Sequence, residues 1–275
     1  MGKKALCIGI NDYPGTNMDL AGCVNDANDW AAALEARGFE VGKLLDAQAT
    51  KAAMSKAMSA LISGAKAGDS LAITFSGHGS VAPDKDSDEA DGWDEALAPF
   101  DISQGRPLLD DEIARIFGAR AAGVALVLIS DSCHSGTVTR AAPAPKNSTA
   151  PRARFLPPGS WLPEGAMPKG ANGKALSSID VRATASPLTA GMQAGDLLFA
   201  GCKEGPDNFS YDATFDGRAR GAFTHFALGA LKSLKATSTY AQWHAAVRKA
   251  LPSLNYPQAP QLVGTKAAQK AKILS

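Results

Sequence analysis

The sequence predicts an α/β fold with a largely parallel central sheet flanked by helices. Two observations carry that expectation. Short β-branched and aliphatic runs alternate along the chain with segments of helical periodicity. The two most reactive-looking motifs each follow the end of a strand-like run, where open α/β sheets place their sites.

Taken in order, residues 4–10 form an aliphatic run that reads as a buried strand, ending at the polar turn around Pro14-Gly15. Residues 19–37 read as a helix, with Leu20, Val24, Ala27, Trp30, Ala31 and Leu34 at helical spacing and Gly38 at the end. Residues 39–45 form a second strand, and Thr50 caps a helix running to about Ile62. Residues 70–75 form a third strand that carries Ser76-Gly77-His78-Gly79 beyond its end. A short strand over 95–99 and a helix over 110–117 come next. The apolar strand 124–129 then leads at once into Ser130-Asp131-Ser132-Cys133-His134-Ser135-Gly136. Further on, a strand is expected over 196–202, helices over 222–234 and 240–251, and an edge strand near Gln261-Leu262-Val263.

The pattern breaks between about 139 and 190, where half of the 16 prolines fall among Gly, Ser, Ala and scattered basic residues. Unstructured stretches of that length are uncommon inside domains and are usually functional or flexible. The expected organisation is therefore one domain over residues 1–275 with a flexible Pro/Arg-rich insertion at 139–190.

Composition narrows the function classes. A net charge of +1 gives no reason to expect nucleic acid or an anionic membrane as partner. No apolar run reaches the roughly 20 residues that span a bilayer. The start of the chain lacks a secretory apolar region, and Leu6 stands where a myristoylation motif wants Ser or Thr. The expected location is the cytoplasm. Cys7, Cys23, Cys133 and Cys202 are widely spaced, without the clustering of a disulfide scaffold or a zinc site.

Cys133 stands out because it follows a buried strand in polar company, a poor place for a packing residue. Its candidate base is His78, set between two glycines beyond a strand of its own. His134 is adjacent in sequence and its side chain is expected to point away, whereas His225 and His244 fall within helices as packing or surface residues. The backbone N–H of Gly79, with that of Cys133, is a candidate pair of oxyanion donors. Cys7 and Cys202 read as buried small hydrophobes.

These motifs together resemble the metacaspase branch of the caspase-like cysteine peptidases. The likeness also rests on Asp91-Gly92-Trp93-Asp94-Glu95, on Leu109-Asp110-Asp111-Glu112-Ile113, and on Ala5-Leu6-Cys7-Ile8-Gly9-Ile10-Asn11 followed by Gly22-Cys23-Val24-Asn25-Asp26. It runs in order over most of residues 3–136 and weakens beyond. The resemblance implies a caspase-like sandwich, a dyad of Cys133 as nucleophile and His78 as base, and a monomer. It also places Asp131 and Asp26, the latter in a Cys-x-x-Asp motif opened by Cys23, in the first substrate pocket with Ser76 beside them. Two carboxylates there favour Arg or Lys before the cut, so the expected partners are proteins or peptides with basic residues at the cleavage site.

Metal-ion expectations are mixed. Asp84, Asp86, Asp88 and Glu95 fall at EF-hand spacing, but Glu89 replaces the glycine that such a loop needs. The resemblance implies calcium held by Asp110 and Asp111 with an acid downstream of the nucleophile, where this chain carries Arg140. A cation there opposes calcium, so no cofactor is expected to be required. The insertion offers Arg140, Arg152, Arg154 and Arg182 as sites at which an enzyme preferring basic residues cuts its own loop and so activates itself. The rival reading is a catalytically silent caspase-like scaffold or adaptor. A legumain-like peptidase selecting Asn is disfavoured by Asp26 and Asp131.

Overall fold

A computed structural model describes residues 1–83, 93–133, 150–163, 165–167, 193, 195–203 and 208–275. A six-stranded sheet of β1 (Lys3–Gly9), β2 (Glu40–Leu45), β3 (Ser70–Ser76), β7 (Ala125–Asp131), β9 (Asp196–Ala200) and β12 (Gln261–Gly264) runs through its centre. The spatial order is β12-β9-β7-β3-β1-β2, parallel throughout except for the antiparallel edge strand β12. The α/β class and the largely parallel sheet are as the alternating pattern predicts.

Period-2 alternation along the strands divides the core into two layers. Leu6, Ile8, Ile73, Phe75, Leu126 and Leu128 point to one face. There they pack with Met54, Met58 and Ile62 of helix α2 (Lys51–Ser63) and with Ile113 and Phe117 of α3 (Asp110–Gly118). Ala5, Cys7, Ala72, Val127, Ile129, Leu197 and Phe199 point to the other. They meet Trp30 and Leu34 of α1 (Cys23–Glu35), Phe223 and Ala227 of α4 (Ala222–Ser233), and Trp243 of α5 (Tyr240–Val247). Cys7 is thus a core residue, and burial pushes its thiol up to about 11.

Local chemistry sets the helix starts. The chain from Asp19 to Gly22 stays outside α1 because the Asn11 side chain accepts the N–H groups of Cys23 (2.8 Å) and Val24 (3.3 Å). Those donors have no intrahelical partner, so an acceptor there fixes where the helix begins. Thr50 caps α2 as expected, its hydroxyl accepting from Ala53 at 3.3 Å. A last short helix, α6 (Lys266–Gln269), follows the edge strand.

Two small sheets stand beyond the carboxyl ends of the main strands. One is β4 (Gly79–Pro83), β5 (Trp93–Leu97) and β6 (Leu108–Leu109), and the other is β8 (Arg152–Ala153), β10 (Tyr211–Phe215) and β11 (Arg218–Gly221). Here the structure departs from the sequence reading. The expected flexible insertion includes residues 150–163, which are built into the fold, with Arg154, Phe155 and Leu156 fully buried. Arg140 and Arg182 lie outside the described residues, as do Asp84, Asp86 and Asp88 of the EF-hand spacing and Glu89 at its glycine position, whereas Glu95 lies on β5. Among the described residues no helix is long and apolar enough to cross a membrane.

The aromatic centre of the second layer offers a direct test of the packing. Phe199 is fully buried, edge-on to Phe223 at 4.9 Å and to Trp243 at 4.8 Å. Phe199→Ala leaves a cavity under both rings and is expected to lower unfolding free energy in urea by about 3–5 kcal/mol.

Candidate active site

Adjacent parallel strands bring the two motifs together. In the β3–β7 ladder Ser76 is the partner of Asp131, so two further residues on each strand end at His78 and Cys133. Both are buried. The Tyr13 hydroxyl accepts the His78 backbone N–H at 2.7 Å, and the two rings pack at 4.7 Å between centroids. A Cβ on Gly77 would stand 2.6 Å from that hydroxyl, so the chain can pass only with glycine there.

The imidazole is oriented by a backbone group. His78 Nε2 lies 2.6 Å from the Met18 carbonyl, which can only accept, so Nε2 carries the proton and Nδ1 holds the free lone pair. Nδ1 has no partner among the described residues. The Cys133 sulfur rests against the backbone N–H and C=O of Ser210, with the Cys202 thiol beside it. Cys202 is therefore buried as expected, but at the site rather than in a remote core. Burial lifts the Cys133 thiol well above its ordinary range, and Cys202 adds to that. Burial likewise lowers His78 to about 4, against the opposing pull of the Met18 carbonyl. Covered as it is here, the pair rests as a neutral thiol and a neutral imidazole.

Beside the pair lies a pocket of three carboxylates. Asp26 comes from α1 and accepts the Gly221 N–H on both oxygens at 3.0 Å. Asp131 ends β7 and accepts from Thr224 through its N–H (2.9 Å) and hydroxyl (2.7 Å), and from the Ser210 hydroxyl. Asp212, on β10, accepts the N–H groups of Ala21 (2.9 Å) and Gly22 (3.0 Å). Gly221 leaves the pocket its room, because a Cβ there would collide with Asp131 Oδ2 and stand 2.5 Å from Arg154 Nη1.

The occupant of the pocket is Arg154, which has no exposed surface. Its guanidinium pairs with Asp26 at 2.6 Å, Asp212 at 2.9 Å and Asp131 at 3.2 Å. Burial works against its charge, but Asp131 and the other surrounding anionic groups hold it above its ordinary range. Burial pushes Asp26 up to about 7 against the attraction of Arg154, with Asp131 and Asp212 raising it further. Burial beside two further carboxylates thus favours the protonated form of Asp26.

The Arg154 backbone is held as firmly as its side chain. Residues 152 and 153 pair antiparallel with Asp212 and Tyr211, and the Arg154 N–H donates to Ser210 O at 2.8 Å. The Arg154 carbonyl accepts from the N–H of Gly79 at 3.0 Å and from that of Cys133 at 3.1 Å. On the far side the Leu156 N–H donates to Gly79 O at 2.8 Å. Residues 152–156 thus run as an extended strap between β10 and β4, with the Arg154 carbonyl held at the N–H groups of Gly79 and Cys133.

The other expected residues are placed as follows. Ser76 is buried at the end of β3 next to Asp131, and its hydroxyl has no partner among the described residues. Cys23 is buried at the start of α1 close enough to feel the charge of Arg154, but forms no hydrogen bond with it; burial pushes its thiol well up. Arg152 is half-buried and donates to Asp19 O at 2.8 Å. Asp110 and Asp111 stand at the amino end of α3, where Asp110 Oδ1 accepts the Asp111 N–H at 3.2 Å. The neighbouring Glu112 accepts from Leu109 and pairs with Lys51 at 2.7 Å. Among the described residues no group of three His, Cys, Asp or Glu side chains is arranged to hold a metal ion. His225 stacks on Phe215, and His244 bonds the Pro260 carbonyl, both in packing roles. His134 lies outside the described residues.

Sequence reading missed four participants. Asp212 sits in a hairpin that the pattern did not disclose. Met18 and Ser210 act through backbone atoms, which no side-chain motif signals. Tyr13 lay in a turn where nothing marked it.

A protein-family model described as Metacaspase, peptidase C14 domain, matches residues 3–142. Metacaspase-1 of Cryptococcus neoformans var. neoformans serotype D (strain JEC21) is 34% identical over 286 aligned residues, covering 94% of this chain and 62% of that protein. Metacaspase-1 of Mycosarcoma maydis is 33% identical, with 94% and 69% covered. The crystal structure of protein GSU0716 from Geobacter sulfurreducens superposes with a TM-score of 0.70 at 27% identity, covering 99% of this chain and 98% of that one. The chain thus spans 62% of the length of the Cryptococcus relative.

The buried imidazole has a measurable consequence. His78 titrates near 6.5 when unfolded and near 4 when folded, so the folded state binds fewer protons in that window. Its contribution to stability is therefore lost as pH falls from 6.5 toward 4. His78→Asn removes this dependence. In urea unfolding, the stability of the variant relative to wild type is expected to rise by up to about 1.4 kcal/mol per pH unit on acidification. Parallel pH profiles would contradict the buried neutral state.

Proposed function

This chain belongs to the metacaspase family of peptidase C14 domains, and from that premise we propose that it is a cysteine endopeptidase cutting after Arg or Lys. The observation that carries the proposal is Arg154. Its guanidinium is paired with three aspartates, its carbonyl is held by the N–H groups of Gly79 and Cys133, and its backbone is paired to β10. A basic residue of a substrate would need the same contacts, and no neutral or acidic side chain satisfies three carboxylates.

The reaction follows from these contacts. The Cys133 sulfur attacks the carbonyl carbon as its proton passes to His78 Nδ1, while Nε2 keeps its hydrogen bond to Met18 O. The developing oxyanion lies where two peptide N–H groups already point. His78 returns the proton to the leaving amine as the C–N bond breaks. Water then attacks the thioester, and the carboxylate product leaves with Cys133 regenerated. No step uses a metal ion or an organic cofactor.

The same geometry makes the strap its own first substrate. While Arg154 fills the pocket, the chain is a zymogen, and cleavage of the Arg154–Phe155 bond releases the strap. Of the four arginines expected in the processing loop, Arg154 is therefore assigned the cut. Removal of the strap readmits water, favouring the thiolate and imidazolium that the closed state suppresses.

The test is hydrolysis of matched peptides ending in Arg, Lys, Asp or Asn, with and without calcium. Cleavage after Arg and Lys is expected, with Cys133→Ala lowering it by at least about a thousandfold. Gly221→Ala, which puts a methyl group into the pocket, is expected to lower it by about a hundredfold while the fold persists. Inertness of a chain with its strap already cut would move the assignment to a catalytically silent scaffold.

A further inference from the structure

We infer that the site also reads the residue after the cut, and that it selects a large apolar side chain there, aromatic above all. This rests on the strap occupying the cleft as a substrate does. On that footing Phe155 marks the first position beyond the scissile bond. Phe155 is fully buried and packs with Val81, Trp93, Cys202 and Phe209, its ring 6.5 Å from that of Phe209 at an interplanar angle of 58°. Val81 lies on β4 and Trp93 on β5, Cys202 follows β9 and Phe209 precedes β10, so all four are outside the strap. The apolar recess therefore stays when the strap leaves.

The backbone fixes which side chain enters it. Gly79 holds the strap on both sides of the scissile bond, through its N–H to Arg154 O and its carbonyl to the Leu156 N–H. Phe155 pairs with Gly79 in a parallel bridge. One residue further on, the Ser80 hydroxyl donates to Leu156 O at 2.7 Å and accepts the Trp161 indole N–H at 2.8 Å. An extended peptide bound along the edge of β4 in this register has one choice of direction for the side chain after the cut. That direction leads between Val81, Trp93 and Phe209. A charged or small residue would leave the recess unfilled, or would bury a charge without a partner.

The test uses internally quenched peptides based on the strap, Ala-Pro-Arg-Ala-Arg-X-Leu-Pro, with X as Phe, Leu, Ala or Asp. They are offered to the wild-type chain and to Arg154→Ala, whose strap lacks the residue that fills the pocket. The expected kcat/KM for Phe exceeds that for Ala by at least about tenfold, the ratio that burial of an aromatic ring supports, with Leu between them and Asp lowest. Phe209→Ala is expected to shrink the Phe-to-Ala ratio while the preference for Arg over Asp before the cut is kept. Equal rates for all four X peptides would overturn this inference and leave the reading of the first pocket standing. No cleavage of any Arg peptide by either protein would overturn both.

Discussion

The guanidinium of Arg154 has no contact with water, and it is held there by Asp26, Asp131 and Asp212. Withdrawing charges from water costs several kcal/mol for each ion, and only good geometry with further hydrogen bonds offsets it. The pocket supplies both. Each carboxylate also accepts N–H groups from an element other than its own: Asp26 from the end of β11, Asp131 from the start of α4, Asp212 from the chain just before α1. Elements far apart in sequence are therefore pinned around one cation. Removing a single partner of such a cluster typically costs about 3–5 kcal/mol, because the other charges stay buried and unpaired.

On the proposed function, that same cluster would let one structure be both ready and silent. An empty pocket would leave three carboxylates facing one another, so a cation is strongly favoured in it, whether from the strap or from a substrate. With the strap in place Cys133 and His78 are both buried, and burial favours the neutral thiol and the neutral imidazole. The backbone donors are already pointed at a carbonyl oxygen, so little needs to move for chemistry. In the proposed reaction, hydration of the site rather than assembly of its parts would separate the resting chain from an active one.

Much of this was legible in the sequence. The apolar runs around Ile73 and Leu128 specify neighbouring buried strands, and the motifs beyond them place His78 and Cys133 at adjacent strand ends. Asp26 and Asp131 were expected to share a pocket, and the structure sets both against Arg154. Asp212 was not legible, since it joins them through a hairpin that pairs across long sequence separations. Met18 and Ser210 act through peptide groups that every residue carries. The strap was misread because its proline content suggests a loop, while composition says nothing of burial. In fact Leu156 precedes Pro157, and a residue before proline is biased toward extended backbone, the shape a cleft-bound strand requires.

The measurement that bears most directly on this account is mass analysis of wild-type and Cys133→Ala protein after incubation at neutral pH. The expected result is a wild-type fragment whose new amino terminus is Phe155, absent from the Cys133→Ala sample. A wild-type chain that stays intact, or one cut first at another basic residue while the Arg154–Phe155 bond survives, would contradict the assignment of Arg154 as the residue before the scissile bond.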